Sequence, residues 1–147
     1  MLYTLANRMW HGILFHFKKK FLKIRDHQDA YSVMNSFWKY KCNNEVEYFF
    51  LLGVDIDSSI QFMETIFVGS RYEVNVDLKH VFKEMLDKGI YQFCVAHNHP
   101  SNSIRISSDD VLLTESINDL SIKLGFTFMD HLILTNKTFN RIPISRV

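Results

Sequence analysis

Residues 90–110 read IYQFCVAHNHPSNSIRISSDD. Ile90 to Ala96 is a short run of apolar and β-favouring residues, and Pro100 both ends it and biases the stretch to about Ile106 towards irregular loop. Ser107 or Ser108 then starts a helix whose apolar stripe is Leu113, Ile117, Leu120 and Leu124, closed by Gly125. Phe126 to Leu134 supplies another strand.

Upstream, Asp77 opens a helix with Leu78, Val81, Phe82, Met85 and Leu86 on one face, and Gly89 sits where a left-handed cap stops it. Residues 46–54 (VEYFFLLGV) and 60–68 (IQFMETIFV) are two apolar runs of strand length joined by a polar turn at Asp55 to Ser59, which reads as a hairpin. The first run is apolar throughout, as expected of a strand buried on both faces. Asp26 or Asp29 caps a helix through about Lys39, with Ala30, Val33, Met34, Phe37 and Trp38 as its core stripe. The last dozen residues read as a short tail. The order αββαβαβ, with neither repeat nor linker, predicts a layered α/β domain in which helices cover a mixed sheet.

A chain of 147 residues suits a single domain. Apolar residues at 47% and charged residues at 22% exclude disorder and fibrous repeats, and no apolar run approaches the length of a membrane-spanning helix. Cys42 and Cys94 are too few for a disulfide framework, which predicts a reducing, cytoplasmic setting; odd spacing from His97 assigns Cys94 to core packing on the opposite strand face. Six of the 17 bases lie in residues 1–25 with no acid, leaving 11 bases against 16 acids and a net charge of −5 beyond. Residues 1–23 therefore read as a basic arm on a domain spanning 24–147. Its lysines follow the apolar stretch rather than precede it, unlike a secretory signal. Such an arm serves either as a solvated face or as a contact to nucleic acid (weak, through residues 1–25), to anionic lipid or to an acidic partner.

His97 and His99 are two apart at a strand end, so both imidazoles point to one face and can reach one ion. Asp110, in the first turn of the next helix, can fold its carboxylate back to them. Two imidazoles and one carboxylate leave a fourth tetrahedral position open, the composition of a catalytic zinc site. Water bound there falls in pKa from about 15.7 towards about 7. A carboxylate that takes its proton without binding the metal is also needed. Glu47 is the leading candidate, with Glu45 and Glu64 as rivals that spacing alone does not separate. Ser107 and Asp110 equally fit the capping-box pattern S-x-x-D/E, which accounts for both by backbone hydrogen bonding. The contiguous letters HNH at 97–99 are read as a metal-ligand pair rather than as an HNH nuclease. Asp130 and His131 read as turn or strand-end residues, with support of the site as the other option.

The pattern H-x-H, seven residues, S, two residues, D, formed by His97, His99, Ser107 and Asp110, is the metal motif of the JAMM (JAB or MPN-plus) metallopeptidases. Within that superfamily, AHNHPS at 96–101, SSDDVLLT at 107–114, LGFTFMDHLIL at 124–134, EYFFLLGVD at 47–55 and FVGS at 67–70 resemble the bacterial RadC group, over about residues 24–136. The resemblance implies a three-layer αβα domain with a mixed central sheet, cytidine-deaminase-like in shape. It implies Zn2+ on His97, His99 and Asp110, and, aligned on the aromatic strand, Glu47 as the catalytic glutamate. Ser107 is implied to stabilise the oxyanion of the tetrahedral intermediate. The activity implied is zinc-dependent hydrolysis of peptide or isopeptide bonds in a protein or peptide substrate. The alternative is a DNA-repair-associated accessory protein that binds DNA through its arm and keeps a structural or vestigial metal site. Asn102 replaces a glycine usual after HNHPS, and Ile106 replaces a proline usual before the serine, which predicts a looser loop. The helix-hairpin-helix region that often precedes the domain in longer family members is not seen, and residues 1–25 stand in its place.

Overall fold

A computed structural model describes residues 23–145. The elements are α1 (His27–Lys41), β1 (Tyr48–Val54), β2 (Ile60–Val68), α2 (Leu78–Lys88), β3 (Gln92–Asn98), α3 (Ser108–Leu124), β4 (Thr127–Leu134) and β5 (Phe139–Arg141). The helices begin where short polar side chains satisfy free amides. Asp26 accepts from the amides of Gln28 and Asp29 to cap α1, and Asp77 accepts from Lys79 to cap α2. Helices α2 and α3 end at Gly89 (φ 66°) and Gly125 (φ 77°), left-handed caps that a side chain would strain.

One five-stranded sheet runs in the order β2-β1-β3-β4-β5. Strand β1 is antiparallel to β2 and β3, β4 is parallel to β3, and β5 is antiparallel to β4, so the sheet is mixed. The expected hairpin is β1–β2. The chain end departs from the expected tail: Phe139–Arg141 pairs with Leu132–Leu134, and three residues of strand carry too little periodicity to read.

Two apolar layers flank the sheet. On one face, Ala30, Met34, Phe37 and Trp38 of α1 pack on Phe50, Leu52, Cys94, Ala96, Leu132 and Leu134. On the other, Val81, Phe82 and Met85 of α2 and Ile117 of α3 pack on Phe49, Leu51, Phe93 and Val95. Cys94 lies in the α1-side core, as its spacing from His97 predicts, and burial pushes its thiol pKa up. Each buried large side chain contributes on the order of 1.5–3 kcal/mol of transfer free energy, so the alternating faces of β1 and β3 hold the three layers together.

Strand β4 breaks its own alternation. Phe93 pairs with Phe128 but Cys94 pairs with Asp130, so Met129 is an extra residue. Phe128 packs on the α2–α3 side, whereas Leu132 and Leu134 pack on the α1 side. The bulge therefore turns His131 towards α3. It corrects the reading of Asp130 and His131 as turn or strand-end residues: both lie within β4, on opposite faces.

Candidate metal centre

His97 occupies the penultimate position of β3, and His99 follows the strand directly. Asn98, between them, points the opposite way. Its Oδ1 accepts from the Tyr48 amide (2.7 Å), and its Nδ2 donates to the Val46 carbonyl (2.9 Å) and Asn44 Oδ1 (3.1 Å). These bonds clamp the backbone on either side of Glu47. The Glu47 amide donates to Ser70 O (2.7 Å), and its carbonyl accepts from Gly69 (2.8 Å), which ties it to the loop after β2 as well. Phe49 pairs with His97 in register, so the entry to β1 runs beside the exit of β3. Glu47 shares a face with Phe49, the face of His97.

The three donor groups converge. His97 Nε2 is 3.0 Å from His99 Nε2 and 3.0 Å from Asp110 Oδ1, and His99 Nε2 is 3.7 Å from Asp110 Oδ2. Ligand atoms about 2.0–2.1 Å from a tetrahedral zinc stand about 3.3 Å apart, a spacing these distances bracket. Among the described residues, this is the group of His, Cys, Asp or Glu side chains whose donors gather closely enough for one ion. Two nitrogens and a carboxylate oxygen facing a common point suit a divalent cation of the zinc type.

Asp110 serves two ends at once. Its Oδ2 accepts from the Ser107 amide (2.8 Å) while its own amide donates to Ser107 Oγ (3.0 Å), a complete capping box, and its Oδ1 faces His97. The two sequence readings of this pair are therefore compatible. Burial alone would raise the Asp110 pKa; the His97 ring and the Ser107 donors outweigh it and hold the carboxyl well below the ordinary range. Ser107 Oγ accepts from the Asp110 amide in the cap, and its side chain also favours the ionised Asp110 carboxylate.

The rings are oriented from behind. His99 Nδ1 is 2.8 Å from the Ser103 carbonyl, an acceptor only, so Nδ1 carries the proton and Nε2 is bare. Burial, then the neighbouring His97, lowers the His99 pKa, which favours the neutral ring that a metal binds. His97 Nδ1 is 2.9 Å from Nε2 of the fully buried His131. His131 Nδ1 is 2.7 Å from Thr114 Oγ1, whose hydroxyl donates to the Asp110 carbonyl at 2.7 Å.

Sequence reasoning missed Thr114 and Asn98 and did not place His131 at the site. The signal for His131 was a histidine inside the apolar run FTFMDHLIL; without the bulge, alternation sends it to the wrong face.

Asn102 takes φ 59°, so the position does require the left-handed region, where Asn is the best tolerated residue after Gly. Its Oδ1 accepts from Asn44 Nδ2 (3.2 Å) and the Asn136 amide (3.1 Å), and Asn140 donates to Ile104 O (2.9 Å). The loop that was expected to loosen without its proline is thus pinned at several points to its neighbours.

Glu47, His97, His99, Ser107 and Asp110 line one cleft of about 1070 Å³, walled by the loops at 71–76 and 99–106. Burial is the main cause raising the Glu47 pKa, and the negative Asp110 adds to it while His97 opposes it. The rivals stand elsewhere: Glu64 pairs with Lys88 (3.3 Å), and Glu45 is exposed before β1. Most of the basic arm lies outside the described residues. Of its bases, Lys23 pairs with Asp57 (3.7 Å) and Arg25 with Asp29 (2.8 Å).

A mixed sheet between helical layers, with a His/His/Asp triad at the exit of a central strand, is the JAB/MPN fold. A RadC-like JAB domain model matches residues 24–142, and the chain belongs to that family. It is 31% identical over 96 residues to a UPF0758 protein of Microcystis aeruginosa, covering 65% of this chain and 40% of that protein. A UPF0758 protein of Gloeothece citriformis is 32% identical over 90 residues (61% and 37%), and one of Bacillus licheniformis 29% over 93 (63% and 42%). The chain thus spans about two fifths of the length of these relatives. No helix among the described residues is long and apolar enough to cross a membrane.

Proposed function

We propose that this domain is a zinc-dependent hydrolase of peptide or isopeptide bonds, with His97, His99 and Asp110 as metal ligands and Glu47 as general base. The observation that carries the reading is the meeting of the three donors with a buried, metal-free carboxylate in one open cleft. JAB domains include metallopeptidases, which supports it.

Zinc on the triad would supply Lewis acidity, enough to make water a nucleophile at neutral pH. Glu47 takes the proton of the attacking water and delivers it to the leaving amine, from a position in the cleft beside the triad. The Ser107 hydroxyl lines the same cleft, from which it can donate to the oxyanion that forms on the substrate carbonyl. The clamp of Asn98 and Ser70 holds the backbone on both sides of Glu47 and so positions the stem from which its carboxylate enters the cleft.

Zinc content and cleavage of a mixed peptide library, read as new amino termini, test the proposal. Wild type should hold about one zinc per chain, H97A should hold none, and E47Q should keep zinc and lose turnover by about 10²–10⁴-fold. Equal cleavage by E47Q and wild type would remove Glu47 from the mechanism, and a wild type without zinc would remove the metal. Lys23 and Arg25 are engaged by acids, so no observation among the described residues favours the nucleic-acid reading.

A further inference from the structure

We infer that His131 and Thr114 are positioning residues that set the tautomer of His97, and so present its Nε2 bare to a metal ion. The inference rests on the triad's being the metal site. His99 needs no such device, because a carbonyl can only accept and its Nδ1 proton is thereby fixed. His97 instead faces another imidazole, which can donate or accept, so the tautomer of His97 is undecided until that of His131 is decided.

The hydrogen-bond chain decides it from both ends. From the helix end, the Thr114 hydroxyl has one hydrogen and gives it to the Asp110 carbonyl, one turn back, at 2.7 Å. Its oxygen is then an acceptor for His131 Nδ1–H at 2.7 Å. A neutral imidazole protonated at Nδ1 is bare at Nε2, so His131 accepts from His97 Nδ1–H at 2.9 Å. His97 Nε2 is left bare at the point where His99 and Asp110 converge. From the metal end, a ligating Nε2 requires the same proton on His97 Nδ1, and the two assignments meet without conflict.

The chain also links two of the donors. It leaves His97, crosses β4 and α3, and ends on the backbone of Asp110, whose carboxylate faces the bare His97 Nε2 at 3.0 Å, two acceptors turned to one point. Two of the three donors are therefore joined from behind by a chain of hydrogen bonds, His97 Nδ1 to His131, Thr114 and the Asp110 backbone. Burial keeps that chain free of competing water: His131 is fully buried, and Thr114 is 1% exposed. Phe49 sets its ring edge-on against His131 (centroids 5.9 Å apart), which fixes the plane of the imidazole.

The test uses the full chain and zinc as the probe. Zinc affinity is measured by competition with a chromophoric chelator for wild type, H131F, H131Q and T114V, with chelator-treated unfolding midpoints as the folding control. H131F removes the acceptor and should weaken zinc binding by roughly 10- to 100-fold. H131Q restores a carbonyl acceptor within reach of His97 Nδ1 and should recover most of that loss. T114V frees His131 to take either tautomer and should fall between them. Long-range proton–nitrogen NMR on wild type gives the second readout and should find the His131 proton on Nδ1 with Nε2 bare. Wild-type affinity in H131F, or a proton on His131 Nε2, would overturn the inference and leave the metal site standing. A wild type that binds no zinc would overturn the metal site and this inference with it.

Discussion

Glu47 carries a raised pKa because burial penalises its ionised form, and nearby acids add to this. The shift belongs to the zinc-free protein, since a bound dication would pull the carboxyl down again. Carbon-13 NMR of the chelator-treated protein should therefore find Glu47 titrating above the ordinary glutamate value of about 4.3. A midpoint at or below that value would contradict the role of burial. Asn102 makes a different test. An alanine there keeps the left-handed strain and loses the bonds to Asn44 and Asn136, so N102A should cost about 1–2 kcal/mol in urea unfolding. N102G relieves the strain and should cost less than N102A; the reverse order would contradict this account. Much of the site was legible at this scale because its spacing is local: His97 and His99 by strand alternation, and Ser107 and Asp110 by one helical turn. What was not legible is long-range. Asn98 reaches Val46 and Tyr48 across the sheet, and no pattern in sequence marks an asparagine as a clamp.

The elements that present the site are held by their ends. Ser107 caps α3 and anchors the carboxylate of Asp110, so S107A should lose about 1 kcal/mol of stability. It should also weaken zinc binding, since the Asp110 amide loses its acceptor; intact affinity with lowered stability would separate the cap from the metal centre. Just before the loop at 71–76 that walls the cleft, Gly69 admits no side chain: a Cβ there would lie 2.0 Å from the Glu73 carbonyl oxygen. G69A must therefore displace the turn at 70–74 that holds the Glu47 amide, and turnover should fall more than zinc content. The helices and the first four strands were legible because each carries a full period of apolar residues between caps or turns. Strand β5 is too short to show one, and the Met129 bulge reverses a rule that otherwise reads β4 correctly. The single extra residue changed which of Asp130 and His131 belongs to the site.

Across the whole molecule, the sheet keeps its two apolar layers dry, and the price is a pair of imidazoles placed where protonation is unfavourable. Burial lowers the pKa of His131 far below its usual value and that of His99 to a lesser degree. Both are bases with depressed folded-state pKa values, so below about 6.5 the unfolded chain binds protons that the folded chain refuses. The sign is then fixed: stability of the zinc-free protein falls as pH drops through about 6.5 and continues to fall until the folded-state values are reached. Each such histidine contributes a slope of about 1.4 kcal/mol per pH unit within that window. Urea unfolding of chelator-treated wild type and H131F at several pH values between 7.5 and 5 checks it. The phenylalanine carries no titrating proton, so its stability should decline less steeply than that of wild type by about one proton's slope. Parallel declines would place His131 outside the linkage and attribute the acid sensitivity to His99 and the remaining groups.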